Sequence, residues 1–187
     1  MKNSVRDVTI ANEILFVCDE PQKVVNLYSL VDGSYLGSSN VLSNSPTHLS
    51  IHSGGLYVSA GPALYWTQLP TSASRLPVST SSPVVTLNPI ALTPPSGEKI
   101  GGISFDGVST VYIPFQTSTG GKKTEKTKPG GSIYSYTVTQ QSQSALPVLS
   151  NAKAFVSSLS DTPEFVLYWS GGSCCTGKHF PTASITF

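Results

Sequence analysis

Three cysteines, three histidines and a scatter of carboxylates are the side chains with chemistry to offer in this chain. Cys174 and Cys175 are adjacent, and Cys18 stands alone inside an apolar alternating segment. Two neighbouring thiols lack the spacing of a zinc site, and three thiols cannot make a full disulfide framework. Two readings stand for the pair. One is a vicinal disulfide, an eight-membered ring that would stiffen the turn from Gly171 to Gly177, and the other is two small turn residues beside one buried strand cysteine. The same turn holds Gly172-Ser173-Cys174-Cys175-Thr176-Gly177-Lys178, which matches the G-x-x-x-x-G-K phrase of a phosphate loop. Such a loop needs a following Ser or Thr and then a helix. His179-Phe180-Pro181 supplies neither, so the segment reads as a Gly-rich hairpin turn.

His48 and His52 lie four apart. On a strand that spacing puts them on one face, about 13 Å from each other. Neither has a carboxylate in its local phrase to form a general acid–base pair. Asp7, Asp106 and Asp161 fall near strand ends, where turn and cap roles are the expected ones. No catalytic residues, no metal site and no cofactor are expected.

Binding is the better expectation. Tyr65-Trp66 and Tyr168-Trp169 are adjacent aromatic pairs, so on a strand one member of each faces either side. Trp66 and Trp169 either pack between sheets or form a platform for a sugar or a protein's apolar anchor. His48 joins them as a candidate. The stretch from Thr117 to Gly130 carries Lys122, Lys123, Lys126 and Lys128, a cationic loop set between two strands. Lys122 and Lys123 could touch an anionic surface, but no aromatic lies among these lysines to stack a base, and no nucleic-acid partner is expected.

These residues must be positioned by strands. Only 11% of the chain is charged, with 16 Gly, 14 Pro, 30 Ser and 18 Thr, a composition poor in helix formers. No stretch sustains apolar recurrence at helical spacing. Instead one phrase returns four times. Val8-Thr9-Ile10, Leu49-Ser50-Ile51, Ile103-Ser104-Phe105 and Val156-Ser157-Ser158 are each followed by a second strand, beginning at Leu15, Leu56, Val111 and Val166. The step from first to second strand is 7, 7, 8 and 10 residues, as tandem hairpins give when turn length fixes register. Third strands follow at Val25 to Leu30, Ala63 to Trp66, Ile133 to Val138 and Ala183 to Phe187, and fourth strands at Ser34 to Leu36, Val84 to Leu87 and Leu146 to Leu149.

A four-stranded unit repeating every 40 to 50 or so residues predicts an all-β fold, a β-propeller with about four blade-like antiparallel sheets. The blades are placed at 5–39, 45–90, 99–149 and 152–187, as one propeller domain. The phrases Ile14-Leu15-Phe16-Val17-Cys18-Asp19, Lys23 to Leu30 and Asp32-Gly33-Ser34-Tyr35-Leu36 resemble a blade of the NHL, YncE-like and lactonase-like propeller group. Ser45 to Ile51 leading into Gly55 to Val58, and Asp106 to Ile113, are similar to two further blade openings. The resemblance implies a fold that hosts many activities.

Four blades in 187 residues would make the smallest closed ring. The last lacks a fourth strand, so the expectation is either a part of a larger propeller or closure through a second copy. A net charge of +1 selects no polyanion, and no apolar run approaches the roughly 18 residues of a membrane span. Low charge with abundant Ser and Thr points toward an extracellular or cell-surface setting. The function expected is a non-catalytic recognition or scaffold module for a protein or glycan. The alternative is a fragment of a lactonase-like hydrolase propeller whose active residues lie partly outside the chain.

Overall fold

A computed structural model describes residues 5–73, 83–95, 97–117 and 131–156. Among them the chain is all-β, without a helix of either α or π type. The first sheet runs β1 (Val5–Ala11), β2 (Ile14–Asp19), β3 (Val24–Ser29) and β4 (Tyr35–Ser38), paired in chain order. The second follows the same plan with β5 (Pro46–His52), β6 (Gly55–Ala60), β7 (Ala63–Gln68) and β8 (Asn88–Ile90). The third is β10 (Ser104–Phe105), β11 (Thr110–Thr117), β12 (Gly131–Thr139) and β13 (Val148–Val156), with β9 (Glu98–Ile100) also paired to β11.

The equal hairpin steps have one cause. Asn12 and Glu13 carry φ of 51° and 63°, and Ser53 and Gly54 carry 48° and 74°. Two consecutive positive φ values define the two-residue turn whose twist matches that of the flanking strands. Ile10 therefore pairs Leu15, and Ile51 pairs Leu56. The third hairpin turns through Asp106 to Ser109 instead. There Asp106 Oδ1 accepts the amides of Val108, Ser109 and Thr110 at 2.8, 3.0 and 2.9 Å, which closes a longer turn.

Strand alternation then builds the layers. Ile14 and Phe16 point from β2 into one core with Leu56, Val58 and Tyr65 from the second sheet, and Cys18 is buried on the same face of β2. The opposite face of the second sheet sends Tyr57, Leu64 and Trp66 against Phe105, Val111, Ile113 and Phe115 of the third. Each sheet thus packs face to face on its neighbour, as propeller blades do. The other face of the first sheet carries Val8 and Ile10, 50% and 60% exposed.

Three sequence expectations are corrected in detail. Val84 to Leu87 is not the outer strand of the second sheet; that role falls to β8, where Trp66 pairs Asn88 and Tyr65 pairs Pro89. Val85 instead makes a parallel bridge with Ser39, and Val84 N donates to Ser38 O at 2.9 Å, so this segment seals the edge of the first sheet. Asn40 locks it there: its Oδ1 accepts the Leu87 amide at 2.7 Å and its Nδ2 donates to the Leu87 carbonyl at 3.3 Å. The outer strand of the third sheet is also longer than Leu146 to Leu149. It runs to Val156 and so takes in residues 152–156, which were placed at the start of a fourth blade. The remainder of that unit, 157–187, lies outside the described residues.

Candidate recognition cleft between the second and third sheets

Strands alternate in direction, so the first and third turns of each sheet fall at the same end. At that end the β5–β6 turn of the second sheet meets the β10–β11 turn and the loop after β12 in the third. The imidazole of His52 stacks on Phe105, with ring centroids 4.4 Å apart and planes at 2°. Tyr57 meets the same Phe105 ring at 4.7 Å and 55°. The loop after β12 is shaped by Gln140, whose Nε2 donates to the carbonyls of Gln143 at 3.2 Å and Ala145 at 2.7 Å. Together these elements enclose a cleft of about 490 Å³, lined by His52, Tyr57, Val108, Val138, Gln140 and Gln143 among others.

The electrostatics of the cleft follow from burial. Burial lowers the His52 pKa, opposed by the Asp106 charge and by a hydrogen bond to the Val108 backbone. Burial pushes the Tyr57 hydroxyl up to about 12. For Asp106, burial favours the neutral form, but the amides and hydroxyl it accepts, those of Thr110 first, outweigh it and hold the group at about 2.

His48 repeats the pattern on the inner strand. Burial lowers its pKa, and the Asp7 charge works in the opposite sense. Asp7 comes from the first sheet, where its Oδ1 accepts Val8 N at 2.9 Å, and its Oδ2 reaches across to accept Leu49 N at 2.8 Å. Each histidine therefore does have a carboxylate acting on it, supplied by the neighbouring sheet. Sequence spacing could not reveal this, because the partners lie in different repeats. Both oxygens of Asp7 accept backbone amides, and Asp106 gives its Oδ1 to three amides with a further side-chain bond to Thr110.

The structure places Trp66 in the core, 4% exposed, which fits packing between sheets and not a surface platform. Its Nε1 and the hydroxyl of Tyr57 are buried without a hydrogen-bond partner among the described residues. Trp66 and Tyr57 are direct partners across β6 and β7, on the face turned to the third sheet. His48 and His52 share that face but not the cleft. Cys18 is fully buried, and burial, with a smaller effect of Asp7, pushes its thiol up to about 12, far from a reactive thiolate. Lys122, Lys123, Trp169, Cys174 and Cys175 lie outside the described residues. Tyr57, Phe105 and Gln140 went unnoticed in the sequence because each sits in an ordinary strand or loop phrase.

A second cleft, of about 400 Å³, lies farther out between the same two sheets, lined by Leu92, Pro94, Pro95, Tyr134, Leu149 and Asn151. Among the described residues no group of His, Cys, Asp and Glu is placed to hold a metal ion, and no helix is long and apolar enough to cross a membrane.

No protein-family model matches the sequence, and no curated protein matches it. Among solved structures the chain is similar to β-propeller proteins. Hsv2 of Kluyveromyces marxianus superposes with a TM-score of 0.50 at 9% identity, over 82% of this chain and 47% of that one. Hsv2 of Kluyveromyces lactis gives 0.50 at 10% identity, over 82% and 48%. The N-terminal domain of Nup159 gives 0.48 at 9% identity, over 80% and 37%. The chain thus spans about half the length of the Hsv2 chains it matches. The fold is that of a partial β-propeller.

Proposed function

We propose that this chain is a non-catalytic β-propeller module that recognises a protein or glycan at the end of the blades where His52, Val108 and Gln140 meet. The observation that carries this reading is the state of the two carboxylates beside the histidines. A general base needs a carboxylate or imidazole with a lone pair aimed at substrate and a pKa near the working pH. Asp106 Oδ1 is taken by three amides and Asp7 bonds two, so both act as builders of the backbone. What is left at the cleft is a set of uncharged hydrogen-bonding side chains on a rigid, face-packed scaffold, which suits binding. The kinship with NHL and YncE-like propellers belongs to the same reading, supported by the phrase from Ile14 to Leu36 that folds as one sheet.

The test is a paired affinity capture. Val108 is 78% exposed at the cleft end, and Val41 is 70% exposed at the opposite end of the blades. Partners retained by the native chain and by Val41→Glu, but lost by Val108→Glu, support the reading. Identical capture by all three chains rejects it.

A further inference from the structure

We infer that the cleft between the second and third sheets is a subsite for an uncharged sugar ring; this rests on the recognition reading above and names the ligand class. Three observations converge on it. The first is the orphaned polar group. The Tyr57 side chain is fully buried, its hydroxyl has no hydrogen-bond partner, and the residue lines the cleft. Buried polar groups are almost always satisfied, and one left without a partner costs about 1–3 kcal/mol, so this hydroxyl calls for a ligand or a water.

The second is the lining. Among the described residues no Lys, Arg, Asp or Glu lines the cleft, and its polar members are hydroxyls, carboxamides and an imidazole: Tyr57, Ser53, Ser142, Gln140, Gln143 and His52. A charged ligand would be stripped of water there without a counter-charge. Gln140 has its side-chain nitrogen committed to the Gln143 and Ala145 carbonyls, so what the side chain can still offer a ligand is its oxygen, an acceptor. A sugar carries several hydroxyls that donate and accept at once, and an apolar C–H face for Val108 and Val138.

The third is the architecture. A peptide bound through its backbone adds to an exposed strand edge. This cleft opens between sheet faces and is bordered by turns and side chains, so it offers no ladder for a strand. Its volume of about 490 Å³ lies within the range of small-ligand sites.

Saturation-transfer NMR on the full chain, with the methyl glycosides of glucose, mannose, galactose and N-acetylglucosamine as probes, tests the inference. The expected result is transfer from at least one glycoside to the native protein, with affinity reduced at least about tenfold in Tyr57→Phe and in Gln140→Ala. Tyr57→Phe keeps the ring in its core, so its unfolding midpoint verifies that the loss is not one of folding. Val41→Ser, at the far end, leaves the signal unchanged. Absence of transfer from all four probes overturns the sugar assignment and leaves a water as the partner of Tyr57. Transfer that Tyr57→Phe does not weaken overturns it as well. Neither outcome touches the Val108-dependent capture, so failure of the sugar inference and failure of the recognition reading remain separable.

Discussion

Tyr57 and Trp66 face each other directly across β6 and β7, and both bury a polar atom that none of the described residues satisfies. Their fates differ. Tyr57 borders the cleft, whereas Trp66 lies across Gly55, where a β-carbon would overlap the indole nitrogen. The glycine at the start of β6 is thus required by the tryptophan on β7. The pair ties the outer core of the second sheet to the rim of the candidate site.

Gly55→Ala should destabilise the fold by about 1–3 kcal/mol, because the added methyl must displace a packed indole. Trp66→Ala should cost about 3–5 kcal/mol through the cavity it leaves. Tyr57→Phe should leave stability unchanged or raise it by up to about 1–3 kcal/mol, since the hydroxyl it removes is buried with no partner among the described residues. Urea unfolding of the three variants checks the order. A folded, native-like Trp66→Ala that had lost binding would instead favour the platform role that the sequence left open beside packing.

Asn40 is the latch between the first sheet and the segment that leads from β7 into β8 of the second. Asn40→Ala removes both side-chain bonds to Leu87, whereas Asn40→Asp keeps an acceptor for the Leu87 amide and loses only the donor to the Leu87 carbonyl. Amide exchange at Leu87 should accelerate in Asn40→Ala, and less in Asn40→Asp, while exchange at Phe16 and Val58 stays slow. Uniform acceleration across all three would mean that the latch and the core open as one unit.

Acid should weaken the fold in two stages. Burial sets the His48 and His52 pKa values below 6.5, so their contribution is complete above that value and declines as the unfolded chain takes up protons that the folded one refuses. Asp106, held at about 2 against an ordinary 3.8, contributes above 3.8 and loses that contribution as pH falls toward 2. Urea midpoints should fall from pH 7.5 to 5.5 and again from pH 4 to 2.5. His48→Gln with His52→Gln should flatten the first stage. A midpoint that rises between pH 7.5 and 5.5 would contradict the burial of both imidazoles.

The repeat was legible because two hairpins use the same turn. Asn12-Glu13 and Ser53-Gly54 set identical steps, and the apolar alternation around them fixes which face is core. The outer strands were harder to place. Val84 to Leu87 has strand-like residues that serve the edge of a different sheet, while β8 contains Pro89, a residue tolerated at an edge because its missing donor faces away from the ladder. β13 continues through Asn151 at φ 52°, with register shifts that absorb what looks like a break in the sequence. The site was hidden for a related reason. His52 meets Phe105 and Asp106, and His48 meets Asp7, across sheet boundaries that no local spacing encodes.

The most direct test of the account is hydrogen–deuterium exchange on the native chain with and without a partner retained by the paired capture. Protection concentrated on residues 52–54, 106–109 and 140–147 is the predicted footprint. Protection centred on the opposite turns, around residues 20–23 and 39–45, with those three segments unchanged, would contradict it.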